Sequence, residues 1–235
     1  MRTLSLEGAQ LYLEIDDYRR AAQLADQALR LETHCDPYTA FFARLIICTA
    51  SIKAYESAEA VSQALRLSEI ITRTPLCSLG LSAATIISDA FEGVHRIEEA
   101  IELLEQTISR AGDSSFARLL TALIRLTLAS YYLSIDQDEE AYETAMEAID
   151  PLVANGNLRA ASRAGSLAND AAKRLHDRPK RLAAIERALE IAKEFNAPHD
   201  VIALTRMAAK AYVDTPTGKV SEADKERALQ AVDAG

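Results

Sequence analysis

Tryptophan is absent from this chain of 235 residues, and glycine and proline are scarce, with eight and six copies. So few breakers leave room for helix nearly throughout, and alanine and leucine, both strong helix formers, dominate the remainder. Cysteine occurs only as Cys35, Cys48 and Cys77, without C-x-x-C spacing. An odd number so spaced supports neither a disulfide framework nor a zinc site and fits a reducing compartment. Basic charge is in deficit, 26 Lys and Arg against 35 Asp and Glu, for a net charge of −9. So acidic a chain repels a phosphate backbone, which argues against direct nucleic-acid binding. Long apolar runs are missing as well: the most apolar stretch, Phe41 to Ile52, is interrupted by Arg44, so no membrane association is expected. The opening MRTLSLEGAQ turns acidic where a signal peptide would be apolar, and a cytoplasmic location is expected.

What the chain does have is a repeat. Tyr12 stands nine residues before Ala21, and small residues recur at Ala25 and Ala28, followed by Leu29. Spacings of three and four place these small side chains on one helical face, where a neighbouring helix can approach closely. The first small position returns as Ala60, Ala100, Ala141, Arg181 and Ser221, at intervals of 39, 40, 41, 40 and 40 residues from Ala21 onward. Seven residues later the chain reads Ala28, Leu67, Thr107, Ala148, Ala188 and Ala228. Nine residues earlier it reads Tyr12, Ser51, Phe91, Tyr132, Ala172 and Tyr212.

Each unit divides into two helices at residues that favour turns and caps. First helices are expected near 3–15, 37–54, 76–93, 114–134, 157–175 and 199–213, and second helices near 17–32, 57–73, 96–111, 138–154, 178–195 and 221–233. Ser57 and Asp138 each stand three residues before the small position of their unit, where a capping oxygen belongs. Pro151 falls late in a second helix and is expected to end or kink it. The fold class is all-α: a solenoid of about six antiparallel helical hairpins. It forms one repeat domain over 1–235, with units 1–35, 36–75, 76–113, 114–156, 157–197 and 198–235.

The run of small residues after an aromatic resembles the tetratricopeptide repeat, over the whole chain. The unit here is longer than the common one of about 34 residues, and the family's early tryptophan and closing proline are missing. Its glycine position reads Ala9, Cys48, Ser88, Ala129, Asn169 and Ala209. The period near 40 is similar to that of tetratricopeptide-like domains in bacterial regulators of the maltose-activator type. The resemblance implies a right-handed superhelix whose first helices line a concave groove. Carried onto this sequence, it assigns the groove Thr49, Ser82, Thr85, Asp89, Glu92, Arg163, Ser166, Asp170, Lys173, Arg206 and Lys210. Apolar groove positions come earlier, at Phe42, Leu45, Ile52, Leu126 and Leu133, beside Ser130.

Summed by layer, first helices are net positive and second helices net negative. The fourth second helix with its lead-in holds Asp136, Asp138, Glu139, Glu140, Glu143, Glu147 and Asp150 and no basic residue. A groove that is apolar early and basic late suits a protein or peptide ligand of acidic character, because guanidinium groups offer forked contacts to carboxylates. The plainer reading is that these charges form a solvated face, with Arg163 paired to Asp170. A short first helix, and Leu229 and Val232 near the other end, point to a piece of a longer protein or to self-association through open solenoid ends.

No catalytic constellation emerges, and no cofactor or metal site is expected. His34, Cys35 and Asp36 cluster, but at a turn between repeats, and His95, His176 and His199 fall at helix boundaries. Pro216-Thr-Gly-Lys219 lacks the first glycine, the final hydroxyl residue and the preceding strand of a phosphate loop. Asp136-x-Asp138 lacks the glycine of a calcium loop. The expected role is therefore a non-catalytic scaffold that binds protein or peptide. Two others compete: a ligand-sensing domain of a bacterial signalling or transcription regulator, and an architectural oligomerisation unit.

Overall fold

The computed structural model describes residues 2–30, 37–73, 78–194, 210–212, 223, 225–227 and 229. Among them are ten α-helices: α1 (Arg2–Glu14), α2 (Tyr18–Arg30), α3 (Pro37–Lys53), α4 (Ser57–Arg73), α5 (Ser78–Glu92), α6 (Ile97–Ser109), α7 (Ser115–Ser134), α8 (Asp138–Ala154), α9 (Leu158–Arg174) and α10 (Arg178–Glu194). They follow the expected helices closely and form five hairpins of an all-α repeat solenoid. Most of the sixth hairpin expected for 198–235 lies outside the described residues. The chain divides into two compact units, Met1–Ala117 and Arg118–Gly235.

Within the first unit, each helix packs on its successor, and α3 also touches α1 and α5. First helices thus lie beside first helices, with α4 beside α6 in the second row. In the second unit α9 packs on α8 and α10. Ala122 and Leu126 of α7 share a core there with Ala148, Ile149 and Leu152 of α8, Ala161 and Ala164 of α9, and Ile191 of α10.

The repeat position that carried the sequence pattern is the core. Ala21, Ala60, Ala100 and Ala141 are buried, as are Ala28, Leu67, Thr107, Ala148 and Ala188 seven residues on. So are Ala9, Cys48, Ser88, Ala129 and Asn169 at the family's glycine position. Side chains of one carbon bring paired helices close. A Cβ built on Gly165 of α9 would stand 2.9 Å from the Ala188 Cβ of α10. Each alanine removes little apolar area from water, roughly 0.8 kcal/mol per buried carbon. Larger plugs such as Leu67, Leu104, Ile124, Ile149 and Leu152, all fully buried, supply more.

Every described hairpin turns in the same way. Asp16, Tyr55, His95, Asp136 and His176 all have positive φ, between 55 and 62°, each five residues before the first small position. The turns close with Schellman-type bonds: Asp17 N donates to Tyr12 O at 2.9 Å, Glu56 N to Ser51 O at 2.8 Å, Arg96 N to Phe91 O at 3.0 Å, Gln137 N to Tyr132 O at 2.9 Å and Asp177 N to Ala172 O at 3.0 Å. Left-handed backbone usually falls to glycine, and none of these five residues is one.

Two local expectations need correction. Asp138 and Ser57 are the first residues of α8 and α4 and do not cap them; the capping position lies one residue earlier. There Gln137 makes no side-chain cap, whereas Asp17 Oδ1 accepts from Arg20 N at 3.2 Å and Asp177 Oδ1 from Lys180 N at 3.0 Å. Pro151 does not end α8, which continues to Ala154. The ring removes one donor close to the terminus, where the last carbonyls lack helical donors in any case, and Asn155 Nδ2 donates to Pro151 O at 2.8 Å.

Two outcomes follow for stability. Tyr55, 92% exposed with φ 60°, should gain about 0.5–1 kcal/mol on Tyr55→Gly, because relief of left-handed strain exceeds the entropy cost of glycine; urea melts showing a loss would contradict this. Gly165→Ala should lose about 1–3 kcal/mol to the clash with Ala188, despite alanine's better helix propensity, and Ala188→Gly should recover part of it. A stabilised Gly165→Ala protein would show that the helices can separate freely.

Candidate functional site

The expected groove residues that fall within the described region lie on first helices, and most are open to solvent. Ser82, Asp89 and Glu92 of α5 are exposed, and Thr85 and Thr49 are half-buried. Two of these hydroxyls are engaged by their own helix: Thr49 Oγ1 donates to Leu45 O at 2.9 Å and Thr85 Oγ1 to Ser82 O at 2.9 Å. Lys210 is exposed, and Arg206 lies outside the described residues.

On α9 the arrangement is sharper. Ala161, Ala164, Gly165, Ala168, Asn169, Ala171 and Ala172 are buried, so the helix is enclosed on most of its circumference. Arg159, Arg163, Ser166, Asp170 and Lys173 form the exposed line, at helical intervals of three and four. Arg163 and Asp170 are not paired. Asp170 accepts instead from Asn169 Nδ2 at 3.3 Å, and Arg163 has no ion-pair partner among the described residues.

Leu133 of α7 joins Asp170, Lys173 and Arg174 of α9 around an open cleft of about 310 Å³. Asp170 and Lys173, both assigned to the groove from the sequence, thus border one cleft over the edge of Leu133, and Arg174 is a further member that sequence reasoning missed. Arg174 Nη1 donates to Leu133 O at 2.7 Å, and lies 3.3 Å from Asp136 Oδ1 and 3.5 Å from Asp138 Oδ1. The one available signal was its distance, a repeat length, from the carbonyl end of the preceding first helix. The apolar groove positions fare differently: Leu45, Leu126 and Leu133 are 7%, 6% and 8% exposed, so they belong to the core and offer little free surface.

The acidic α8 draws its cations from neighbouring helices. Glu147 pairs with Arg125 of α7 at 3.1 Å and Asp150 with Arg187 of α10 at 2.7 Å, and Glu139 pairs with Lys180 of α10. Lys180 also sits 5.1 Å from the centre of the Tyr142 ring. One repeat further on, Tyr212 OH donates to Glu186, while Arg178 donates to Ala211 O at 3.1 Å and Tyr212 O at 2.6 Å.

Among the described residues, reactive side chains are not assembled. Cys48 is buried, its thiol donates to Ala60 O at 3.5 Å, and burial, with Asp89 and Glu59 nearby, pushes its pKa up to about 12. A thiol so held is a poor nucleophile. His95 and His176 are exposed turn residues, and the His34-Cys35-Asp36 cluster, His199 and Pro216–Lys219 lie outside the described residues. Among the described residues no three His, Cys, Asp or Glu side chains are placed to hold a metal. Helix α7 is long and apolar enough to cross a membrane by length and composition, yet 56% of its apolar window is buried within the protein, as in a core helix of this row.

Solved structures share this architecture. The apo form of RapI superposes with a TM-score of 0.64 at 14% identity, over 99% of this chain and 66% of that one. A Podosopora anserina putative kinesin light chain with tetratricopeptide-like repeats gives 0.56 at 16% identity, over 83% and 94%. A signal-transduction ATPase with numerous domains from Pyrococcus horikoshii, which carries a tetratricopeptide repeat sensor, gives 0.73 at 16% identity, over 98% and 35%. The fold is tetratricopeptide-like. This chain spans just under two thirds of RapI and about a third of the ATPase. No protein-family model and no curated protein matches the sequence.

Tyr212 supplies a pH signature. Burial first, then its bond to Glu186, pushes the phenol from 10.0 up to about 12. A group raised on folding contributes stability that is whole below its unfolded pKa and lost as pH climbs through the folded one. Stability should therefore fall between pH 10 and about 12, and Tyr212→Phe should flatten that fall in chemical melts. An unchanged alkaline limb would assign the loss to other phenols.

Proposed function

We propose that this chain is a non-catalytic repeat scaffold for protein or peptide partners, and that the exposed line of α9 receives an acidic peptide. The observation that carries this is the state of α9: enclosed elsewhere, it offers one strip with Arg159, Arg163 and Lys173 against a single carboxylate, Asp170. Arg163 is exposed and has no ion-pair partner among the described residues, so its planar donors are available to a carboxylate. Ser166 and the cleft beside Lys173 add polar and shape contacts. The groove role of Thr49, Ser82, Thr85, Asp89 and Glu92 belongs to the same reading, with the carboxylates tuning which end of a peptide is tolerated.

A second reading has its own support. The likeness to a tetratricopeptide sensor in a signal-transduction ATPase covers nearly the whole of this chain, which favours a sensing domain in a larger regulator, the maltose-activator type included. There the α9 strip would bind a small anionic ligand instead.

Binding of a labelled Asp/Glu-rich peptide, followed by fluorescence anisotropy, tests the first reading. Arg163→Glu with Lys173→Glu should weaken it about tenfold or more, about 1.4 kcal/mol or above for two reversed contacts, and the wild-type affinity should fall with salt. Equal affinity for wild type and variant would remove the α9 strip from the site. Stabilisation by small anionic metabolites and not by the peptide would favour the sensor.

A further inference from the structure

The second-helix row of the same unit holds a separate cleft, of about 350 Å³, between α8 and α10. Met146, Ile149 and Ala183 give it an apolar surface, and Asp150, Glu186 and Glu190 stand on its rim with Arg187. We propose that this cleft docks a basic amphipathic helix of a partner protein.

Charge decides the partner. Arg187, the one cation of the cleft, is held by Asp150 and Glu190, each at 2.7 Å, so it is neutralised and the rim keeps a negative excess. Glu186 accepts from the Tyr212 phenol, a neutral donor that leaves its charge intact. Along the same helix, α8, Glu140, Glu143 and Glu147 are exposed at helical spacing. Glu147 is paired with Arg125 and Glu143 lies within electrostatic reach of Lys180, whereas Glu140 has no ion-pair partner among the described residues. A net charge of −9 adds long-range attraction for a cation and opposes a second copy of this chain.

Shape decides the form. The volume is at the low end for a small-molecule pocket, and the cleft is open, which suits one or two apolar side chains presented from outside. Met146 is flexible enough to mould around them. A helix with leucines on one face and lysines along its margins places both chemistries at the required spacing. The α9 strip belongs to the other helix row, so the two sites stand or fall separately.

The test uses the full chain and a synthetic leucine–lysine amphipathic helix as probe, with binding followed by anisotropy at several salt concentrations. Ala183→Arg, an exposed change that fills the cleft with a cation, should weaken binding about tenfold or more, and Glu143→Lys about fivefold. Both variants should melt like the wild type. Reversal of Glu102 and Glu105 on the acidic exposed face of α6, outside the cleft, should leave affinity unchanged within about twofold. Equal weakening by the α6 reversal would reduce the effect to net charge and overturn the proposal. So would unaltered affinity in Ala183→Arg, absence of probe binding, or capture of an acidic helix at this cleft.

Discussion

The close approach of paired helices through side chains of a single carbon is the constraint on which the rest depends. Where Gly165 meets Ala188, and where Ala129, Ala145, Ala168 and Ala184 gather in one cluster, dispersion between backbones replaces the bulk of a conventional core. Such contacts work only if both helices begin and end in register. The left-handed turn residue, five positions before the small one in every described hairpin, sets that register. It stops the first helix abruptly and lets the second start after one non-helical residue, as at Arg96 and Gln137. The strain at Tyr55 and His95 is tolerated because the bonds across each turn and the packing behind it over-determine the backbone.

Register in turn fixes what one repeat can offer the next. Arg110 Nη1 donates to Ile71 O at 2.7 Å, Arg174 Nη1 to Leu133 O at 2.7 Å, and Arg178 Nη2 to Tyr212 O at 2.6 Å. In the first two cases a cation near one helix end meets a carbonyl near the end of the equivalent helix one repeat away, where the dipole is negative. In the third the recipient is a residue of the next repeat's first helix. These ties are charge-assisted and partly buried, so they outweigh the exposed ion pairs around them. With small faces spent on packing and ends spent on ties, a first helix such as α9 keeps one strip of its surface for anything else.

Much of this was legible in the sequence. The interval near 40 came from Ala21, Ala60, Ala100 and Ala141, because burial of a small side chain leaves a mark at a fixed spacing. The caps were placed one residue late at Ser57 and Asp138, since a hydroxyl or carboxylate favours both the capping position and the first helical turn; only the backbone of the preceding turn distinguishes them. Exposure at the expected groove positions is mixed. Polar positions on α5 and α9 are open as their spacing indicates, but Leu45, Leu126 and Leu133 are core residues. A pattern taken from a shorter unit misjudges how far a longer helix is wrapped by its neighbours. Arg174 was missed because one arginine at a helix end looks like any solvated charge until a carbonyl 41 residues away is placed beside it.

The acidity of α8 then takes on a different meaning from its appearance in the chain. A helix without one basic residue looks self-repelling, yet Arg125, Arg174, Lys180 and Arg187 bring cations to it from three other helices. Those pairs are largely exposed and contribute little to stability, so folding does not require the carboxylates that remain. The architecture itself tolerates wide drift, since structures sharing 14–16% identity keep it. What the fold demands is small residues and a turn; side chains on the exposed strips are free of that demand. Charge that is concentrated on α8 beyond its pairing, and on α9 with opposite sign, is therefore not something the fold itself requires.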